Sequence, residues 1–168
     1  MRREFYDRLA EPFEKSEKKR KRLILINSII TKILYVIYPA LLVVLAVQRD
    51  QRLIRAVLVP LISFAAVTLF RSLCNCRRPY EVWDTPPLIP KETKGNSFPS
   101  RHVFSIYIIA MAVLWICAPA GVAILAAGVF LAAVRVTARV HFLRDVAAGA
   151  ALGIGLGWIG FFLIPFQI

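Results

Sequence analysis

Long, predominantly apolar segments constrain the fold of this chain more than any other feature. They run over residues 23–47, 53–73, 103–118, 122–134 and 146–164. A helix that spans the hydrocarbon core of a bilayer needs about 20 apolar residues. The chain is 58% hydrophobic, and its mean hydropathy is +0.64. The sequence therefore predicts an all-α, polytopic membrane helix bundle with about five transmembrane helices.

The first 22 residues differ in character from the rest of the chain. They contain nine Lys or Arg and five Asp or Glu, and Phe5, Leu9 and Phe13 recur at a helical spacing. Two interpretations are open: an amphipathic helix in the membrane interface, or a partly ordered charged tail, since Pro12 interrupts the pattern. We expect residues 1–22 to form a basic amphipathic N-terminal segment and residues 23–168 to form the transmembrane domain.

The net charge of +12 points to anionic partners. Much of it lies in residues 1–22 and at the ends of the apolar segments, which favours membrane lipids and phosphorylated substrates over nucleic acid. Neither a carboxylate cluster suited to magnesium nor a His/Cys set suited to zinc is present in the sequence, so we expect no metal and no cofactor. The pattern predicts no particular oligomeric state.

Two further patterns concern packing. Residues 79–99 are polar and contain five Pro. Their hydrophobic residues are expected either to wall a lipid access path or to anchor in the membrane interface; these are Trp83, Leu88, Ile89 and Phe98. In the last apolar segment, glycines at positions 149, 153, 157 and 160 share one helix face, which predicts close approach of a neighbouring helix.

Three short polar patches lie at the ends of apolar segments. They comprise Arg71 with Arg78 and Pro79, then residues 97–102 reading SFPSRH, and then Arg135 with His141 and Asp145. Both histidines of the chain lie in these patches beside arginines. Arginine binds phosphate oxygens bidentately, and histidine acts as a nucleophile or proton donor near neutral pH. The patches therefore indicate phosphate chemistry.

The order and spacing of the patches over residues 71–145 resemble the type 2 phosphatidic acid phosphatase family. That family shares its core with vanadium haloperoxidases and bacterial acid phosphatases. The chain departs from the family pattern where Arg71 replaces a Lys, Arg101 replaces a Gly and Val134 replaces a Ser. None of these changes removes a histidine or the positive charge of the pocket.

The resemblance implies a membrane-embedded phosphatase acting on a lipid phosphate or diphosphate. Phosphatidic acid, phosphatidylglycerol phosphate and polyprenyl diphosphates all fit. It implies that His141 is the nucleophile and forms a phosphohistidine, that His102 is the general acid, and that Asp145 orients His141. The remaining polar residues of the patches are expected to bind the phosphate or the headgroup: Arg71, Arg78, Ser100 at a helix start, Arg101 and Arg135. Three arginines without a motif position, namely Arg77, Arg139 and Arg144, are interpreted as headgroup or surface charges.

Other functions are compatible with the same residues. A non-catalytic protein that binds or transports a lipid phosphate would not need His141. A lipid phosphotransferase would use the same histidine but pass the phosphoryl group to an alcohol. A haloperoxidase would hold vanadate in such a pocket, although a short bundle opening at the lipid surface suits phosphate esters better.

The distribution of charge also bears on topology. With five spans, residues 1–22, 71–101 and 135–145 lie on one side and carry eighteen Lys or Arg. The opposite side has only Arg49, Arg52 and Arg55. The positive-inside rule then places the site on the cytoplasmic side of the cell membrane, whereas the family resemblance usually implies an outward-facing site.

Overall fold

The computed structural model describes residues 3–165, and no strand occurs within that range. In chain order the helices are α1 (Arg3–Glu14), α2 (Glu17–Val47), α3 (Arg52–Cys74), α4 (Pro79–Val82), α5 (Arg101–Ile116), α6 (Ala118–Thr137) and α7 (Leu143–Trp158), followed by a π-helical turn over Ile159–Leu163. Helices α2, α3, α6 and α7 with its π-helical turn are long and apolar enough to cross a membrane, whereas α5 has 16 residues. The predicted all-α membrane bundle is confirmed.

Helix α5 lies at the centre of the bundle between α6 and α7. Its side chains are buried on most of its faces, including Val103, Phe104 and Ile106. Helix α2 is the opposite case, since large apolar side chains such as Tyr35 and Val36 are exposed along it. A short helix is sufficient at the centre because protein surrounds it, while the outer helices present their apolar side chains to lipid.

The predicted glycine face of α7 packs against α5. A Cβ atom added at Gly149 would lie 2.7 Å from the carbonyl oxygen of Ser100, and one added at Gly153 would lie 2.7 Å from the Cβ of Tyr107. A Cβ at Gly157 would come within 2.5 Å of Met111. Because only glycine permits such close approach, these positions fix the separation of the two helices.

Residues 3–14 form a helix that packs on the bundle. Helix α1 continues through Pro12 to Glu14 and buries Tyr6 and Ala10 completely. The Tyr6 ring contacts those of Trp83 and Phe142, and its hydroxyl accepts a hydrogen bond from the backbone N–H of Leu143 at 2.9 Å. Leu9 and Phe13 of the predicted apolar face pack, partly buried, against the bundle, whereas Phe5 is exposed.

Arg139 is not a headgroup or surface charge, contrary to the prediction. It is only 2% exposed and donates hydrogen bonds to Asp7 at 2.8 Å and to Glu14, both in α1. A buried guanidinium needs a carboxylate partner to offset its lost hydration. The acidic residues of α1 therefore neutralise a charge next to the segment that carries His141.

The segment between α3 and α5 is anchored to the bundle rather than to the membrane interface. Leu88 and Ile89 are buried against Ala138 and Val140. The backbone N–H of Leu88 donates to the carbonyl of Ala138 at 3.1 Å, and Arg20 donates to the carbonyl of Leu88. Neither expected role, walling a lipid path or anchoring in the interface, describes these two residues. Helix α2 begins at Glu17, before the predicted Leu23, which places Arg20 within reach.

The glycine contact between α5 and α7 can be tested by adding one methyl group. We expect Gly149→Ala to lower both the melting temperature in detergent and the activity, because the new Cβ would overlap the Ser100 carbonyl. Overpacking of this kind costs about 1–3 kcal/mol. Gly155→Ala is the matched control on the same helix, since nothing lies within 4 Å of the methyl group that it adds. Equal melting temperatures for the two variants would contradict this account.

Candidate active site

A polar cavity of about 220 Å³ opens at the end of the bundle where α1 packs. Its lining comes from the end of α3, the start of α5, the segment between them and the turn between α6 and α7. The lining residues are Thr68, Arg71, Ser72, Arg78, Lys91, Thr93, Lys94, Gly95, Asn96, Arg101, His102 and His141. No Asp or Glu occurs among these twelve, so within the described chain the cavity wall is cationic.

Five of the eight predicted site residues line this cavity: Arg71, Arg78, Arg101, His102 and His141. The other three, Ser100, Arg135 and Asp145, are buried behind the wall. The three sequence patches therefore converge, although more than sixty residues separate Arg71 from His141.

Arg71 and Arg78 hold the cavity wall in place. Arg71 donates to the carbonyls of Pro99, at 2.6 Å, and of Asn96. Arg78 donates to the carbonyls of Gly95 at 2.9 Å, Asn96 at 3.2 Å and Val140 at 3.3 Å. These two guanidinium groups thus shape the segment before α5 as well as supplying positive charge.

Gly95 is required by this arrangement. Its φ of 64° is left-handed, and an added Cβ would lie 2.1 Å from the side-chain oxygen of Asn75. Its N–H donates to the Glu81 carboxylate at 2.9 Å, and Glu81 also accepts from the backbone N–H of Arg78. Glu81 therefore links the backbone at Arg78 to the backbone at Gly95, which the Arg78 side chain also contacts.

The His141 side chain is oriented through a serine hydroxyl. Ser97 Oγ donates to Asp145 Oδ2 at 2.5 Å and lies 3.4 Å from His141 Nδ1. His141 Nδ1 itself is 3.7 Å from Asp145 Oδ2, which is too long for a direct hydrogen bond. Because the Ser97 hydroxyl donates its proton to the carboxylate, it accepts from Nδ1–H, which leaves the lone pair on Nε2.

The unprotonated ring nitrogen of His141 contacts a guanidinium group of the cavity wall. Its Nε2 lies 3.4 Å from Arg78 Nη1. Burial lowers the pKa of the His141 imidazole to about 4, so the ring is neutral at pH 7. A neutral imidazole with an unprotonated nitrogen is chemically able to act as a nucleophile.

Ser100 and Arg135 have roles other than direct lining. Ser100 is the N-cap residue of α5, as predicted, but its hydroxyl makes no capping hydrogen bond. Its backbone N–H instead donates to the Asp145 carbonyl at 2.9 Å. Arg135 is 4% exposed, its Nε has no partner within residues 3–165, and its carbonyl accepts from the backbone N–H groups of Val140 and His141. Both residues therefore fix the backbone around the two histidines.

A second, mainly apolar cavity of about 150 Å³ adjoins the polar one. Arg101 and His102 line both cavities. The rest of the apolar cavity comes from α2, α3, α5 and α6, namely Thr31, Leu34, Tyr35, Phe64, Ser105, Ile109 and Leu131. His102 therefore sits where a polar group in one cavity would join an apolar chain in the other.

Two residues of the site were missed by the sequence reasoning. Ser97 stands one residue before Phe98 in the second patch, and its position between Asp145 and His141 depends on tertiary structure. Lys91 lies in the irregular segment, where no motif spacing marks it. Neither had a local signal stronger than the presence of a polar residue.

The side chains around the cavity do not have the composition of a metal site. Within residues 3–165, no group of three or more His, Cys, Asp or Glu side chains lies close enough together to hold a metal ion. Positive charge around the cavity comes from arginine and lysine side chains instead.

Ser97→Ala tests the orienting role of the hydroxyl. We expect kcat to fall about 100-fold, because a misplacement of about 1 Å has costs on that scale. KM should change little, since Ser97 is buried behind the cavity wall. Ser72→Ala is the control, because Ser72 lines the cavity but bonds only to the carbonyl of Leu69. A wild-type kcat in Ser97→Ala would show that Asp145 orients His141 without the serine.

Comparisons with known proteins agree with the fold. The structure resembles the crystal structure of Aquifex aeolicus LpxE, with a TM-score of 0.71 and 22% identity, covering 94% of this chain and 92% of that one. It also resembles the first transmembrane PAP2-type phosphatidylglycerolphosphate phosphatase from Bacillus subtilis, with a TM-score of 0.56 and 20% identity, covering 93% and 90%. The comparison with curated protein sequences finds no match.

The family model of the PAP2 superfamily matches residues 52–167, which include all three polar patches. This match confirms the resemblance seen in the sequence. The chain is a membrane protein of the PAP2 superfamily.

Proposed function

We propose that the protein hydrolyses a lipid phosphate or diphosphate through a phosphohistidine formed at His141. One observation carries this proposal: His102 lies at the junction of a cationic cavity and an apolar cavity. A phosphate in the first cavity and a hydrocarbon chain in the second would place the bond to be broken beside His102. The two relatives of known structure are a phosphatidylglycerolphosphate phosphatase and LpxE, and their shared fold is compatible with this activity.

The proposed reaction has two steps. His141 Nε2 attacks phosphorus, the P–N bond forms and the bond to the leaving oxygen breaks, while His102, protonated as the imidazolium in the complex with the anionic substrate, gives a proton to that oxygen. His102 then takes a proton from a water molecule that attacks the phosphohistidine, which releases phosphate and restores His141. Arg78 is near enough to His141 to stabilise the charge on the transferred group.

Asp145 stabilises the charged imidazole during attack. Its carboxylate accepts from Ser97 Oγ and from the backbone N–H of Phe142 at 2.9 Å. These bonds keep it ionised and fixed in place, as in other triads where a carboxylate holds a histidine. The cationic side chains of the cavity supply the charge that a metal ion provides in other phosphoryl transfer sites, so we propose that the activity is independent of metal.

His141→Ala tests the covalent step. We expect phosphate release from phosphatidic acid, phosphatidylglycerol phosphate and polyprenyl diphosphate to fall at least about 1,000-fold, on the scale seen when a nucleophile is removed. The assay is run with excess chelator, and folding is checked by gel filtration in detergent. Asp145→Asn should lose less. Activity of His141→Ala within about tenfold of wild type would exclude the phosphohistidine, because removal of a covalent nucleophile lowers activity far more than that.

A labelling experiment separates hydrolysis from the alternatives. Substrate with a radioactive transferred phosphate should leave an acid-labile, alkali-stable label on wild-type protein and none on His141→Ala. A non-catalytic binding protein would give no label and no phosphate release. A phosphotransferase would give the label but pass it to an added alcohol in preference to water.

We also propose that the site faces the cytoplasm, on the charge distribution given above. The test places single cysteines in a background in which Cys74, Cys76 and Cys117 are replaced. Glu92→Cys, beside the cavity, should react with an impermeant thiol reagent only after cells are opened. Gln51→Cys, exposed in the turn between α2 and α3, is the control and should react in intact cells. Labelling of Glu92→Cys in intact cells would place the site outside.

A further inference from the structure

Three cations of the polar cavity lie outside the motif positions that the family shares: Lys91, Lys94 and Arg101. Arg101 stands where the family pattern has a glycine. Together with Arg71 and Arg78 they give the cavity five cationic side chains and, within the described lining, no carboxylate. A phosphate monoester brings a charge of only about −1.5 to −2. The cavity is therefore more positive than one phosphate group requires.

The motif arginines are partly engaged by the protein itself. Arg71 and Arg78 donate to backbone carbonyls of the segment before α5. Lys91 is half-buried, and its ammonium group makes no hydrogen bond or ion pair with any residue from 3 to 165. Its burial, with Arg78 and other guanidinium groups nearby, lowers the pKa of Lys91. A half-buried, unpaired cation among other cations is a favourable binding position for an anion.

Lys91 is held in place by its neighbours in the chain. Leu88 and Ile89 are buried, and Leu88 is bonded to Ala138 through its N–H and to Arg20 through its carbonyl. Lys91 and Arg101 are both close enough to act electrostatically on His102. Arg101 lines both cavities and Lys91 lines the polar one, so both cations border the space in which a phosphate at His141 would lie.

We propose that Lys91, with Arg101, binds a second phosphate group of the substrate, next to the one transferred to His141. This inference rests on the proposed function and narrows its substrate class to lipids that carry two phosphates near one another. Two kinds of lipid carry two neighbouring phosphates. One is a diphosphate; the other has a phosphomonoester joined to a phosphodiester across a short linker. In the diphosphate case, the leaving group is a lipid monophosphate whose charge Lys91 and Arg101 offset.

Matched substrate pairs test the assignment. One pair is a polyprenyl diphosphate and the monophosphate of the same chain; the other is phosphatidylglycerol phosphate and phosphatidic acid. We expect Lys91→Gln to lower kcat/KM about 10- to 100-fold on the two-phosphate member of one pair, on the scale of a lost charged hydrogen bond. The single-phosphate member should change less than about threefold, and Lys91→Arg should restore most of the loss. The pair affected identifies the source of the second phosphate.

Arg77→Gln is the charge-matched control, because Arg77 is exposed and does not line the cavity. It should leave both members of each pair unchanged. Equal losses on both members for Lys91→Gln, or no loss on any, would overturn the inference.

A binding measurement separates this inference from the proposed function. Inorganic pyrophosphate should bind His141→Ala more tightly than inorganic phosphate does, and Lys91→Gln in that background should abolish the difference. Failure of the proposed function gives a distinct result: no phosphate release from any of the four lipids by wild-type protein, with Lys91-dependent pyrophosphate binding retained. Equal binding of the two anions would contradict the second phosphate position.

Discussion

The site depends on the close approach of two helix ends. The Ser100 N–H at the start of α5 bonds to the Asp145 carbonyl in the first turn of α7, and Gly149 leaves room for that contact. His102 follows Ser100, and His141 precedes α7, so a single interhelical distance sets the separation of the two histidines. A wider spacing would keep every polar residue of the site but would move the proposed proton donor away from the proposed nucleophile.

Burial of charge is the second constraint. Arg71, Arg78 and Arg135 are buried at the end of a membrane bundle, where unpaired cations are costly. The protein satisfies part of the hydrogen-bonding capacity of Arg71 and Arg78 with backbone carbonyls, which carry no net charge. The positive potential therefore remains available to an anion. Carboxylates in place of those carbonyls would have stabilised the arginines and reduced the potential that binds phosphate.

Sequence reasoning predicted the helical membrane fold and the convergence of the three patches, since apolar length and motif spacing are local properties. It did not predict the pairing of Arg139 with α1, because that contact joins residues more than 120 positions apart and Arg139 has the same local context as a surface arginine. Ser97 and Lys91 were missed for a similar reason. Tertiary contacts with other side chains determine their roles, and neither hydropathy nor motif spacing predicts those contacts.

The contact between α1 and the turn that carries His141 affects which part of this chain can fold on its own. The family model begins at residue 52, yet Tyr6, Asp7 and Glu14 supply a hydroxyl and two carboxylates to the segment around Arg139. A chain trimmed to the family boundary would lose both carboxylates that pair with that guanidinium. The segment that the family model matches is thus shorter than the segment that folds as a unit. A chimera that places the matched segment in another helix bundle would also need an acidic helix to pair with Arg139.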